Sequence, residues 1–161
     1  MITIQCETGN DVQVPADTLV GANLSGLNLH RALLDGQVLR GANLSNSDLR
    51  SAWLEGAILD QADLAHARLP ACNATKASFI GANLVGAFMR SGIYKQVNFT
   101  RATLRDADVG RAQMQEAIFN GADVRAVELA DADLAGAHAD QLTKWPDAFD
   151  PEAHGVIISR K

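Results

Sequence analysis

Aromatic side chains supply only 5% of this chain, and cysteine occurs only twice, at Cys6 and Cys72. So few rings in a chain that is 47% hydrophobic point to a narrow core filled by Leu and Ala. Two isolated cysteines read as buried thiols and exclude a disulfide framework. No apolar run approaches the roughly 18 residues of a membrane-spanning helix. The N-terminus, Met1-Ile2-Thr3-Ile4-Gln5-Cys6-Glu7, lacks the basic start and apolar stretch of a secretory signal, so a cytoplasmic protein is expected.

Catalytic signatures are also missing. His30, His66, His138 and His154 have no Cys or carboxylate at ligand spacing, so no metal site is expected. There is no nucleophile elbow and no Gly-rich phosphate loop. Nothing near the paired acids Asp131 and Asp133 would desolvate a carboxylate and raise its pKa for acid catalysis. The expectation is a protein that is not an enzyme and holds no cofactor. Arg31, Arg50, Arg68 and Arg90 read as a basic column on one wall, but Asp48 and Asp108 share it. With so few rings to stack on bases, direct nucleic-acid binding is not expected.

What the chain does have is a beat of five. From Leu24 to Ala139 every fifth residue is apolar, giving 24 units, and Leu fills 14 of them. Two places earlier Ala fills 17 of the 24 positions. Five fits neither a helix nor a strand period, so this is an internal repeat of a solenoid. Leu or Phe would point inward, Ala would fill the tighter inner place, and Gly would sit at corners where φ > 0 is cheap. Phe79, Phe99 and Phe119 recur at 20 residues, four units, so one circuit has four sides and like residues stack coil on coil. Ala74 then lies below Tyr94, which exchanges volume and avoids a void.

The triplets Ala22-Asn23-Leu24, Ala42-Asn43-Leu44, Ala62-Asp63-Leu64, Ala82-Asn83-Leu84 and Ala132-Asp133-Leu134 resemble the Ala-Asp/Asn-Leu-x-x motif of the pentapeptide-repeat proteins. The resemblance covers residues 20–141. It implies an all-β fold, a right-handed quadrilateral parallel β-helix of about six coils, roughly 30 Å long at the stacking distance of β-strands. Residues 1–19 read as an N-terminal cap, with a hairpin over 2–5 and 12–14, and residues 142–161 as a C-terminal cap or dimerisation tail. Asp150 and Pro151 would open a short helix ended by Gly155. Trp145, Phe149, Val156, Ile157 and Ile158 are too apolar for a free tail. They either cover the last coil or meet a second copy as a homodimer.

In a solenoid, sequence order is axial order. Residues 20–105 carry a net +4 and residues 106–150 a net −7, so the rod is electrically polarised. An acidic rod end can imitate duplex DNA. The best-understood relatives implied by the resemblance bind DNA gyrase or topoisomerase IV and protect them from antibiotic poisons. Asp123, Glu128, Asp131, Asp133 and Asp140 are the candidate contacts for such a partner. The alternative is a general interaction scaffold that docks through an apolar patch of Leu33, Val38, Trp53 and Ile58. Ile93, Ile118, Ile80 and Phe88 add further apolar positions outside the core.

Overall fold

The computed structural model describes residues 1–161. Inside each repeat the chain points in, out and in again. Ala22 and Leu24 are buried while Asn23 between them faces outward, and the same alternation recurs unit after unit. A corner follows, and four such sides close one coil.

Coils are joined by parallel bridges between residues 20 apart. The first wall stacks Asn23, Asn43, Asp63, Asn83, Thr103 and Asp123; the second stacks Asn28, Asp48, Arg68, Phe88 and Asp108. The third stacks Leu33, Trp53, Asn73, Ile93, Gln113 and Asp133; the fourth stacks Val38, Ile58, Ser78, Asn98, Ile118 and His138. Backbone hydrogen bonds such as Leu24 N to Asn43 O, 2.7 Å, and Asn43 N to Ala22 O, 2.9 Å, tie each coil to the next. The fold is the right-handed four-sided β-helix.

The corners show why the motif reads as it does. Leu27 N donates to Leu24 O at 3.3 Å, and Gly26 inside that turn has φ +68°. A single positive φ at the third position marks a type II turn. Every fifth residue from Gly21 to Glu116 and Gly121 is left-handed, whether Gly or a side-chain-bearing residue such as Arg101 or Lys76. The outward Asn or Asp then closes its corner. Asn43 Oδ1 accepts from Ser45 N at 3.0 Å, Asn98 from Thr100 N at 3.0 Å and Asp108 from Gly110 N at 3.0 Å. These are Asx turns, and they explain why the motif asks for Asn or Asp between Ala and Leu.

The core is one continuous column of side chains. Phe79, Phe99 and Phe119 stack with ring centroids 5.4 and 5.3 Å apart. Tyr94 is fully buried above Ala74. Gly92 beside it is required, since a Cβ there would lie 2.5 Å from the ring. The phenol meets the Cys72 thiol at 3.3 Å. Burial pushes that thiol up to about 12 and the phenol upward as well, so both stay protonated.

At the N-terminal end β1 (Ile2–Ile4) and β2 (Val12–Val14) form an antiparallel hairpin. Ile4 and Val14 are buried over the first coil, which protects its edge. At the other end the beat slips. Asp108 bridges Val127, 19 residues on, and Asp123 bridges Lys144, 21 residues on. The outward positions are therefore spaced four, six, five and six through Asp123, Val127, Asp133, His138 and Lys144. A 3-10 turn, Leu129–Asp131, absorbs the extra residue, with Glu128 left-handed before it. The expectation of an uninterrupted beat is thus corrected here. Short and long connections cancel, so Leu129 and Leu134 remain buried and the sequence stays in step.

β3 (His138–Asp140) is covered in parallel by β4 (Ile157–Ser159), which the tail brings back over the last coil. The short helix is a single 3-10 turn, Glu152–His154, with Asp150 Oδ1 accepting from Ala153 N at 3.1 Å. Ala139 replaces the next ring of the Phe column. Trp145 continues the aromatic stack instead, 6.1 Å from Phe119, followed by Phe149 at 5.6 Å and His154 at 4.5 Å.

Candidate functional site

Stacking at 20 residues brings the sequence-chosen apolar residues together. Leu33 bridges Trp53 on the third wall, and Val38 bridges Ile58 on the fourth. The two walls meet at the corner formed by Asp35–Gly36 and Glu55–Gly56. Leu33, Val38 and Trp53 are 42%, 38% and 38% exposed, and Ile58 is half-buried beside them. Apolar side chains face outward here because the pleat forces the middle residue of every side out, whatever its chemistry.

The acidic candidates are placed differently. They girdle the last coil and share no wall. Asp123 lies on the first wall, Asp133 on the third, Glu128 precedes the 3-10 turn and Asp131 ends it, and Asp140 ends β3. Three of them hold the fold. Asp123 Oδ2 takes Arg125 Nη2 at 2.6 Å, and that side-chain hydrogen bond keeps its carboxyl below the usual range. Asp140 accepts from Gly121 N at 2.9 Å and Leu142 N at 3.0 Å; the first of these chiefly lowers its pKa. Asp133 accepts from Gln115 Nε2 at 2.6 Å and from Ala135 N at 3.1 Å. Glu128 and Asp131 are exposed and make no ion pair.

The basic column is also redistributed. Arg68 stands on the second wall between Asp48 and Phe88. Arg50 pairs with Asp48 at 2.7 Å and Arg90 with Asp108 at 3.2 Å. Burial raises the Asp48 carboxyl but the Arg50 hydrogen bonds outweigh it and hold it low. Arg31 is not on that wall: it occupies the left-handed corner beyond it and pairs with Glu7 at 2.7 Å.

Of the tail residues, Val156 is buried, and Trp145, Phe149 and Ile158 pack partly buried against the core. Ile157 remains 54% exposed and Leu142 74% exposed. No three His, Cys, Asp or Glu side chains gather as metal ligands. No helix is long and apolar enough to cross a membrane.

Sequence reasoning missed one feature. A surface recess of about 370 Å³ opens beside Trp53, lined by Glu7, His30, Arg31, Ser51, Asn73 and Ile93 together with small alanines. Its signal was present in the third column, where the short Asn73 stands between Trp53 and Ile93.

A solenoid with this corner chemistry defines a class, the four-sided repeat rods. The pentapeptide repeat family model matches in eight copies over residues 19–56, 57–91 and 94–121, and the chain belongs to that family. The match ends just before the slip in register. No curated protein sequence matches the chain. Among solved structures, it is similar to HetL, a pentapeptide repeat protein involved in heterocyst differentiation regulation from the cyanobacterium Nostoc sp. strain PCC 7120. Identity is 28% over 84% of this chain and 71% of that one, with a TM-score of 0.50. A pentapeptide repeat protein of the Arabidopsis thaliana thylakoid lumen is 25% identical over 66% of each chain, TM-score 0.50. QnrB1, a plasmid-mediated fluoroquinolone resistance protein, shares the fold at 17% identity over 88% of this chain and 84% of that one, TM-score 0.55.

Proposed function

We propose that this protein is a non-enzymatic docking rod whose contact surface is the corner between the third and fourth walls in the first coils. The observation that carries the reading is the contiguity of Leu33, Trp53, Val38 and Ile58, brought together from positions 20 apart, the first three exposed and Ile58 half-buried beside them. Apolar surface gathered in this way favours burial against a protein partner. Placing a photo-crosslinking residue at Leu33 in cells, with a second at Asp131, tests it. Adducts from position 33 that persist in high salt and vanish with Ile58→Glu are expected. Adducts from position 131 alone would refute the reading.

A second reading is favoured by the acidic last coil and by the fold shared with QnrB1. In it the rod end imitates DNA and protects DNA gyrase or topoisomerase IV from a poison. Glu128 and Asp131, free of structural duty, would be its main contacts, with Asp123, Asp133 and Asp140 shaping the field. A gyrase supercoiling assay with and without a topoisomerase poison decides it. Protection that weakens with salt and disappears in Glu128→Gln/Asp131→Asn supports it; indifference of gyrase to excess folded rod removes it. Self-association through the tail would use Ile157 and Leu142, since the remaining apolar tail residues pack on the last coil. Light scattering of Ile157→Asp tests this dimer. A cytoplasmic location accompanies both readings.

A further inference from the structure

We infer that the recess beside Trp53 is a socket for a tyrosine side chain presented by the protein partner, which deepens the docking reading above. Three observations specify the occupant. First, the recess exists by construction. The corner residues of the second and third coils are Ser51 and Ala71, and Asn73 is the short member of its column between Trp53 and Ile93. At about 370 Å³ it lies at the small end of ligand sites and admits a whole aromatic side chain together with the backbone that presents it. Second, Trp53 offers a half-exposed indole, and aromatic rings prefer offset or edge contacts with it.

Third, the polar groups of the lining are unspent. Asn73 Oδ1 caps Thr75 at 3.1 Å, but its Nδ2 donates to nothing in the chain. The Ser51 hydroxyl and the His30 ring are likewise without internal partners. A ring with a hydrogen-bonding edge satisfies them; a purely aliphatic side chain does not. A cationic side chain is disfavoured, because Arg31 already occupies Glu7 at the rim and Arg50 stands next to Ser51. The neutral phenol of tyrosine meets all three conditions. The recess runs directly into the apolar corner through Trp53, so an inserted tyrosine would be the anchor of a larger contact.

The test uses the full chain and blocked amino acids as probes. N-acetyl-tyrosinamide, N-acetyl-phenylalaninamide and N-acetyl-leucinamide are titrated while the Trp53 indole and Asn73 side-chain NH signals are followed by NMR. Saturable shifts in the millimolar range, as suits a single ring, are expected for tyrosine. Phenylalanine should bind roughly three- to tenfold more weakly and leucine not at all. Ala71→Arg should abolish the shifts while leaving the backbone ladder signals in place, because arginine already occupies the same left-handed corner at Arg31 and Arg111. Trp53→Leu, which mimics Leu33 in the same column, removes only the ring and should abolish the shifts of the Asn73 side-chain NH signals. Absence of saturable shifts, unchanged shifts in both variants, or tighter binding of free tyrosine than of the blocked amide would each overturn the inference. Ile58→Glu separates the two readings, since it should break docking and leave tyrosine binding intact.

Discussion

The coils from Gly21 to Val124 and the end of the rod from Arg125 onward obey different rules. In the first region every side is five residues, every corner carries one left-handed residue, and each coil rests on a copy of itself. In the second, sides of four, five and six residues mix, a 3-10 turn intervenes, and a tail returns as β4. The comparison teaches what repetition provides. Interior coils have both edges paired by neighbours, so identical local choices suffice. The final coil has no successor, and its exposed edge must be covered by non-repeating chain. Tail residues Trp145 and Phe149 do so by extending the aromatic column out of the core.

The largest way to break the regular region is to interrupt that column. Phe99→Ala leaves a void between Phe79 and Phe119 and should cost about 3–5 kcal/mol by chemical denaturation. Gly92→Ala drives a methyl into the immobile Tyr94 ring and should cost about 1–3 kcal/mol. A full-strength loss from either, with unchanged hydrogen exchange in the tail, would show the two regions opening independently.

The end region is sharpened by Asp140→Asn. The amide keeps an acceptor but loses the charge that strengthens the Gly121 and Leu142 hydrogen bonds, so about 1 kcal/mol is expected. Acid makes the same point without mutation. Asp123 and Asp140 are both held below the ordinary carboxyl value of 3.8 by hydrogen bonds in the folded chain. Their contribution is complete above that value and is lost as pH falls through their lower folded values. Protection of the Gly121 and Leu142 amides, measured against their intrinsic exchange rates, should therefore fall below about pH 4. The smallest effect belongs to the corners: Arg111→Gly removes a left-handed side-chain strain and should stabilise by about 0.5 kcal/mol. A loss instead would mean that the arginine stem packs on its neighbours.

The apolar corner was legible because outward positions 20 apart must stack. The acidic girdle was legible as charge along an axis. Its distribution over several walls was not, because Asp131 and Asp140 sit where the beat slips. The recess went unread for a related reason: volume depends on Asn73, Ser51 and Ala71 meeting around Trp53, and no linear spacing reports that meeting.

Taken alone, the order of residues determined the coil, its four sides, its inward Leu and Ala and its left-handed corners, since each depends on one local unit repeated. Tertiary structure decided where the repeat slips, how the tail closes the open edge and which carboxylates are already engaged. Those outcomes turn on residues distant in the chain competing for the same last layer of unpaired backbone and uncovered rings.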